Sequence, residues 1–333
     1  PKITLALTIA VRAVRANPVT PAGGLLSLVM CVPPGSWRGG EHMADCRDAH
    51  AGAPVTTIAT VLDLFVYPVK SARAIARSRV RVGASGFEWD RQWMLVDGKG
   101  TFLSQRTHPR LARIVPEITA NALVLRAEGA QELSVPLDTG GDRLAVRVWD
   151  DACDGLDQGA AASAWASRLL GEAVRLVRAS PGMVRPANVK FAHPTPAPLA
   201  FSDGYPLLVC NQASLEDLNR RLGSPIPMER FRPNLVLTGL PAWAEDRIDR
   251  IEVGAVTLRL VKPSTRCSIP SRDQVTGEAS TDPLPVLRKF RFDRSLRGAT
   301  FGENAVIAEG AGGEIERGSP CGVTFDALTA FPH

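Results

Sequence analysis

Residues 256–270 read VTLRLVKPSTRCSIP, an apolar–polar alternation followed by a polar loop that carries one cysteine. The alternation over 256–261 predicts a β-strand. Pro263 has no backbone N–H for a strand ladder, so we expect the strand to end there. Cys267 then lies beside Arg266, and a neighbouring positive charge favours the thiolate, the form that binds a soft metal. Taken alone, this cysteine is better interpreted as a small buried apolar side chain near a strand end.

The composition is typical of a globular chain with two domains. Of the 333 residues, 45% are hydrophobic, which is enough for a sizeable core. The 29 glycines and 26 prolines favour short strands and turns over long helices. The formal net charge is +5, without a basic stripe, and this disfavours a nucleic-acid partner. Scattered arginines suit a small anionic ligand, because the guanidinium fork fits a phosphate.

The six cysteines are far apart in the sequence, with no CxxC pair, and the five histidines show no HExxH spacing. This pattern excludes a zinc-ribbon or iron–sulfur signature and does not resemble a disulfide framework. A reducing compartment, the cytoplasm, is therefore expected. His108, in Thr107-His108-Pro109-Arg110, is interpreted as part of a surface turn.

Residues 1–56 differ in character from the rest of the chain and are predicted to be a disordered or non-native leader. The apolar run at 3–11 is too short to span a bilayer, which needs about 20 apolar residues. No convincing signal-peptide cleavage site follows it, and we expect no membrane anchor. Met43 begins a cleaner polar stretch, and our hypothesis is that translation starts there.

Residues 57–178 are predicted to form a first, β-rich domain, because short apolar runs alternate with Gly, Asp and Asn turns. One helix is expected at 160–170, where apolar residues recur at helical spacing before Gly171, the expected C-cap. Many strands with one late helix favour a mostly antiparallel sheet or a small barrel. The predicted strands are 57–66, 80–82, 90–96, 111–118, 122–126, 132–135 and 144–148.

Two places in this domain carry polar side chains where a ligand could meet them. Lys70 and Ser71 follow a predicted strand directly, and Arg91 begins another strand beside Asp90. Each of these side chains alone is most simply interpreted as a solvated surface group. Asp90 and Arg91 are equally well interpreted as a local ion pair.

Residues 199–328 are predicted to form a second domain, after a proline-rich linker over 179–198. The turn around 202–206 offers hydroxyl and carboxylate oxygens for hydrogen bonds. No GxGxxG or Walker motif occurs, which disfavours a nucleotide-binding α/β domain. The expected elements are a helix at 214–222 with its N-cap at Asn211 or Ser214, a strand at 235–237 and a helix at 284–290.

Arg230 and Arg232 lie two positions apart in a segment predicted to be extended, which would place both on one face. They are interpreted either as structural arginines that hold loops or as partners of a ligand phosphate. Asp273 precedes Gly277 and is interpreted as a turn carboxylate rather than as a participant in proton transfer.

Seven short motifs follow one another along residues 57–328, each weak alone but specific in this order and spacing. They are Tyr-Pro-Val-Lys-Ser at 67–71, Asp-Arg-x-Trp at 90–93, Ser-Asp-x-x-Pro at 202–206, Ala-Ser-Leu-x-Asp-Leu-Asn at 213–219, Arg-Phe-Arg-Pro-Asn at 230–234, Thr-Arg-Cys at 265–267 and Phe-Gly-x-Asn at 301–304. With these motifs the chain resembles the MOSC-domain proteins that carry an N-terminal MOSC β-barrel domain, the group of the mitochondrial amidoxime-reducing component and its bacterial relatives.

The resemblance implies an α+β, mostly β fold: an N-terminal β-barrel-like domain followed by a MOSC β-barrel domain with short helices. It also implies a molybdenum cofactor between the domains, held by a pterin dithiolene, with Cys267 as the added metal ligand and catalytic residue. A phosphate-bearing pterin needs cationic forks and small polar loops, which agrees in kind with the residues present. The residues that match the family's cofactor-binding positions are Lys70, Ser71, Arg91, Ser202, Asp203, Gly204, Arg232, Thr265 and Arg266.

The activity that the resemblance implies is reduction of small N-hydroxylated compounds (hydroxylamines, amidoximes, N-hydroxylated bases) by removal of their oxygen at molybdenum. The chain has no cluster-binding cysteines, so electrons are expected from a separate flavoprotein, haem or iron–sulfur carrier. Pyridoxal phosphate binding is a further description that the resemblance suggests. Two alternatives stay open: a carrier of the molybdenum cofactor or its sulfur without turnover, and a barrel without a cofactor. Ser268 and Pro270 depart from the family pattern and leave the loop after Cys267 undetermined.

Overall fold

The chain is mostly β-structure, as predicted, in a computed structural model that describes residues 56–138 and 140–326. Residues 1–55 of the leader predicted at 1–56, with its proposed translation start at Met43, lie outside the described residues, and Thr56 belongs to the first strand. The strands are β1 (Thr56–Val66), β2 (Ile75–Arg77), β3 (Arg79–Gly83), β4 (Gly86–Phe87), β5 (Trp93–Val96), β6 (Val115–Ile118), β7 (Ala122–Arg126), β8 (Leu133–Pro136), β9 (Arg143–Val148), β10 (Asp151–Asp157), β11 (Arg175–Ala179), β12 (Leu207–Asn211), β13 (Leu235–Thr238), β14 (Ile248–Val253), β15 (Val256–Thr265), β16 (Phe292–Asp293), β17 (Gly298–Glu309), β18 (Glu314–Glu316) and β19 (Pro320–Phe325).

The helices are short, and none of those within residues 56–138 and 140–326 is long and apolar enough to cross a membrane. The helix predicted at 160–170 is confirmed, and Gly171 ends it with a left-handed φ of 80°. The Asn211 side chain accepts a hydrogen bond from the Ala213 N–H, which confirms one of the two predicted N-caps. The α-helices are α1 (Ala160–Leu170), α2 (Val189–Ala192), α3 (Gln212–Arg221) and α4 (Leu284–Phe290), and 3-10 helices span Pro109–Arg113, Met228–Phe231, Ala244–Arg247 and Ile269–Ser271.

Seven strands close into a barrel in the order β12-β13-β1-β19-β14-β15-β17, with β17 pairing back to β12. Only β12 and β13 run parallel among these barrel neighbours. The first described strand thus pairs with later parts of the chain, and Leu64 lies opposite Leu235. Alternate side chains of β1 point inward, so Ala59 and Val61 are buried in the barrel core while Ile58 is exposed.

Two smaller antiparallel sheets, β5-β11-β10-β9 and β6-β7-β8, are built from the part of the chain between β4 and the proline-rich segment. Their apolar faces share one core with α1, in which Trp93 of β5, Leu123 of β7 and Trp165 of α1 are buried. The burial of these large side chains holds the residues that flank β5 in a defined place next to the barrel. The domain boundaries expected at 57–178 and 199–328 stay predictions.

Two predictions about strand boundaries are wrong. The segment 111–118 is not one strand, because Pro109 starts a 3-10 helix and β6 begins only at Val115. Pro263 does not end the strand that contains it, since β15 continues to Thr265. The ladder between β15 and β17 shifts register on both sides of Pro263, and such a bulge tolerates a residue without an N–H donor.

Candidate functional site

A cleft of about 390 Å³ opens where several strand ends of the barrel meet the segment before β5. Some of its residues lie in the turn after β1 and in the turn before β5. Others lie in the loops before β12 and β13 and at the end of β15, so the cleft is built from both halves of the chain. All ten residues that the sequence singled out line it: Lys70, Ser71, Arg91, Ser202, Asp203, Gly204, Arg232, Thr265, Arg266 and Cys267.

Backbone hydrogen bonds bring three of these segments together. The Lys70 N–H donates to the Trp93 carbonyl at 2.7 Å, and the Arg91 N–H donates to the Tyr67 carbonyl at 2.8 Å. The Phe201 N–H donates to the Arg91 carbonyl at 3.0 Å. The turn after β1, the turn before β5 and the loop before β12 are therefore neighbours whatever side chains they carry.

Four residues of the cleft adopt a left-handed backbone conformation that side chains rarely occupy. The φ angles are 67° at Ser71, 49° at Arg91, 57° at Trp149 and 58° at Arg232. Each such residue costs about 1–3 kcal/mol and is retained only where the surrounding structure holds it in place. The strain is concentrated at the cleft, which is where a binding function would require unusual side-chain directions.

The prediction that Arg230 and Arg232 share one face of an extended segment is wrong. Met228–Phe231 is a 3-10 helix, and the left-handed φ of Arg232 turns the chain at its end. Arg230 is buried away from the cleft and donates to the Pro270 carbonyl at 3.2 Å and to Ser280 Oγ at 3.0 Å. Arg230 is thus a structural arginine, whereas Arg232 lines the cleft.

Lys70 and Asp203 form an ion pair in the cleft. Lys70 Nζ donates to the Phe201 carbonyl at 2.8 Å and lies 2.5 Å from Asp203 Oδ1. Burial lowers the pKa of Lys70, and the Asp203 carboxylate partly opposes this shift. For Asp203, burial would raise the pKa, but the charge of Lys70 and hydrogen bonds from Lys70 and Trp149 hold it well below its usual range. Asp203 therefore remains a carboxylate at neutral pH.

Arg91 and Arg232 are both stacked against one aromatic ring. Their guanidinium carbons each lie 4.2 Å from the centroid of the Tyr67 ring. Arg91 Nη1 lies 2.5 Å from Asp90 Oδ2, as the local ion-pair interpretation predicted, and donates to Asn234 Oδ1 at 2.9 Å. Burial lowers the pKa of Arg232 to about 10, which leaves it a cation at neutral pH. The two guanidinium groups are thus fixed by the protein before any ligand arrives.

Cys267 lies two residues beyond the end of β15 and is partly exposed to the cleft. The interpretation of this cysteine as a buried apolar side chain is therefore wrong. The loop before it is held by Arg266, which donates from its backbone N–H to the Ala299 carbonyl at 2.8 Å and from Nη2 to the Phe231 carbonyl at 2.7 Å. By contrast, Cys210 and Cys321 are buried, and burial raises the pKa of both thiols.

The cleft suits a multiply charged anion, because six basic side chains line it with one carboxylate, Asp203. Two polar atoms at the cleft are buried without a hydrogen-bond partner in the described residues, Ser202 Oγ and Arg266 Nε. Buried polar atoms are normally paired, so these two indicate places for ligand atoms. The six basic residues are Lys70, Arg91, Arg106, Arg232, Lys262 and Arg266.

The cleft residues that the sequence analysis missed include two basic side chains, Arg106 and Lys262, and one exposed aromatic side chain, Trp149. Lys262 lies within residues 256–270, but the bulge that sets the direction of the side chains in this part of β15 has no local sequence signal. Asp273 does not line the cleft, and its Oδ1 accepts from the Val275 and Thr276 N–H groups at 2.9 Å. The interpretation of Asp273 as a turn carboxylate is confirmed.

Comparison with known proteins agrees with this arrangement. The family model for the MOSC N-terminal beta barrel domain matches residues 58–173, and that for the MOSC domain matches residues 196–321. The mouse (Mus musculus) mitochondrial amidoxime-reducing component 1 is 32% identical over 263 residues, which cover 76% of this chain and 77% of that protein. The chain belongs to the MOSC family. The cleft residues therefore come from both MOSC segments.

Two further relatives differ in how much of their own length this chain covers. The human (Homo sapiens) mitochondrial amidoxime-reducing component 1 is 32% identical over 279 residues, which cover 79% of this chain and 82% of that protein. The molybdenum cofactor sulfurase of Bos taurus is 30% identical over 273 residues, which cover 75% of this chain but 30% of the sulfurase. Neither the MOSC models nor these relatives support pyridoxal phosphate as a ligand, and that expectation is not carried further.

Proposed function

We propose that this MOSC protein binds a molybdenum cofactor in the cleft and reduces small N-hydroxylated compounds with electrons from a separate protein. The observation that carries the proposal is a partly exposed cysteine, Cys267, in the same cleft as six basic side chains. A soft metal takes a thiolate ligand, and a pterin phosphate takes guanidinium forks. The names of the amidoxime-reducing relatives support the substrate class.

The chain's own residues offer the chemical groups that such a cofactor needs. Arg91 and Arg232, stacked on Tyr67, would hold the phosphate, and Ser202 Oγ and Arg266 Nε would each gain the partner that they lack within the described residues. Cys267 Sγ would bind the metal. The bound cofactor would supply a metal that takes up the substrate oxygen and cycles two electrons.

The Lys70–Asp203 pair lines the same cleft at two of the positions that match the family's cofactor-binding residues, and it would also supply a proton. The Asp203 carboxylate opposes the lowering of the pKa of Lys70 by burial, and Lys70 Nζ places an N–H donor at the cleft. Removal of an oxygen atom as water consumes two protons, and an ammonium whose pKa is lowered by burial donates a proton more readily than an exposed lysine does. Thr265, Ser71 and Gly204 would contribute small polar or backbone groups that let the ligand approach.

A second candidate is a carrier that holds the cofactor, or its sulfur, without turnover. The match to molybdenum cofactor sulfurase favours it, although the chain spans less than a third of that protein. Both candidates use the same cleft, so only turnover separates them.

The test is expression in a host that makes molybdopterin, followed by metal and pterin analysis and a benzamidoxime assay with an artificial electron donor. Wild type is expected to contain both metal and pterin and to turn over. Cys267→Ala should fold normally but lose activity, whereas Cys153→Ala, which changes a partly exposed cysteine outside the cleft, should keep it.

The remaining outcomes discriminate between the candidates. Bound molybdenum with no turnover in wild type would favour the carrier. Protein free of molybdenum and pterin would favour a barrel without a cofactor, and full activity in Cys267→Ala would refute the role of this sulfur as a metal ligand.

A further inference from the structure

Trp149 occupies an unusual position at the rim of the cleft. Trp149 and Asp150 form the two-residue turn between β9 and β10, in which Val148 lies opposite Asp151. The first position of such a turn has a positive φ and is normally Gly, Asn or Asp. Here it is a tryptophan with a φ of 57°, and 45% of its surface is exposed. A bulky apolar residue is therefore held in a strained conformation with much of its ring in solvent.

The indole is fixed from three sides. Its Nε1–H donates to Asp203 Oδ1 at 3.0 Å, which connects it to the Lys70 ion pair. The Arg106 guanidinium carbon lies 4.4 Å from the ring centroid, and the Phe102 ring meets it edge to face with centroids 5.0 Å apart. An exposed side chain normally samples several rotamers, whereas this one is preorganised.

Arg106 also acts on the carboxylate that binds the indole, because its charge helps to lower the pKa of Asp203. Within residues 56–138 and 140–326 its guanidinium donates no hydrogen bond to a protein acceptor and has no carboxylate at ion-pair distance. Its stacking on the indole supports the ring from one face. Of the other aromatic residues of the cleft, Phe231 and Tyr205 are buried and Phe102 is partly exposed, so Trp149 offers the most exposed aromatic surface of the cleft.

We propose that Trp149 is the platform on which the planar π system of the substrate stacks, so that the site prefers aryl to alkyl N-hydroxylated compounds. This assignment rests on the proposed function and names its substrate class. Stacking lowers the exposure of the indole and uses a ring that is already oriented, so little side-chain freedom is lost on binding. Trp149 is a binding residue in this scheme and takes no part in proton or electron transfer.

The kinetic test compares benzamidoxime with acetamidoxime, which share the reacting group but differ in the aromatic ring. Loss of the ring in Trp149→Ala should raise KM for benzamidoxime about five- to ten-fold and leave KM for acetamidoxime within about two-fold of wild type. Trp149→Phe keeps an aromatic surface but loses the hydrogen bond to Asp203, and it should stay close to wild type for both substrates. Phe292→Ala removes an exposed aromatic ring outside the cleft and serves as the control.

A binding measurement makes the test independent of turnover. The indole ¹H–¹⁵N resonance of Trp149, assigned by its absence from Trp149→Phe, should shift saturably when benzamidoxime is added to protein without cofactor, and not with acetamidoxime at the same concentration. An indole signal that does not move would overturn the platform. An equal rise of both KM values in Trp149→Ala would also overturn it. The same holds if Trp149→Phe raises KM for benzamidoxime as much as Trp149→Ala does. If the indole titrates but no variant turns over, the proposed activity fails while the platform stands.

Discussion

Lys70 Nζ lies 2.5 Å from Asp203 Oδ1, although the two residues are 133 positions apart in the chain. The Lys70 side chain is 6% exposed and the Asp203 side chain 64%, so solvent screens one end of the pair. An ion pair of this kind contributes little to the free energy of unfolding. The ion pair instead fixes the position of two segments, because it joins the turn after β1 to the loop before β12 at the cleft.

Replacement of Lys70 by Met should raise the pKa of Asp203 toward its ordinary value of 3.8, because the charge and hydrogen bond that lower it are removed. A depressed carboxyl pKa stabilises the fold above the unfolded value, and this stabilisation is lost as the pH falls below about 3.8. The variant should therefore lose less stability at acid pH. Carboxyl ¹³C titration, assigned with Asp203→Asn, measures the shift. The exposed Lys99→Met is the control, and an unmoved Asp203 resonance would contradict the coupling.

The Tyr67 ring should contribute more to the free energy of unfolding than the Tyr67 hydroxyl does. Tyr67 is buried, and its hydroxyl has no hydrogen-bond partner in the described residues. Tyr67→Phe removes an unsatisfied polar atom and should leave the free energy of unfolding unchanged or raise it by about 1 kcal/mol. Tyr67→Leu removes the ring that contacts both Arg91 and Arg232 and should lower it by about 2 kcal/mol or more. Urea denaturation measures both, and a clear loss of stability in the Phe variant would show that the hydroxyl is bonded.

Glu303 should make the fold less stable as the pH rises. Burial raises the pKa of Glu303 to about 9 and that of Glu245 to about 7, so the folded state keeps protons that the unfolded state releases. The free energy of unfolding should fall from about pH 4.5 upward, and between pH 7 and 9 mainly because of Glu303, by at most about 1.4 kcal/mol per pH unit. Glu303→Gln should flatten the pH 7–9 interval in urea titrations, whereas the exposed Glu128→Gln should not. An identical slope in wild type and Glu303→Gln would disprove the assignment.

Gly302 should tolerate no side chain. Its φ is 72°, and a Cβ there would lie 2.6 Å from Cys210 Sγ and 2.7 Å from the Val209 carbonyl oxygen. Gly129 has a similar φ of 74° but nothing within 4 Å of the added atom. Gly129→Ala therefore measures the backbone strain alone, about 1 kcal/mol, and Gly302→Ala should cost about 3 kcal/mol or more because β12 must move. Equal melting-temperature losses in the two variants would show that the contact with β12 relaxes freely.

Local signals in the sequence were sufficient for much of the secondary structure. The helical spacing before Gly171 predicted α1 with its observed bounds, and the β-rich run over 57–66 predicted β1. Such signals depend on neighbours within a few residues, whose preferences add along the chain. The ordered motifs also brought together all ten residues that line the cleft, because the spacing of several motifs constrains which family the chain belongs to.

The partners of each strand and the directions of several side chains were decided only by the tertiary structure. β1 pairs with β13 and β19, and the register shifts that keep Pro263 inside β15 depend on β17. The left-handed turn at Arg232 and the support of Trp149 by Arg106 likewise need contacts from distant segments. The sequence alone determined which chemical groups are available and where most elements begin. Long-range packing determined where those groups point, because strained backbone is stable only when residues far along the chain hold it in place.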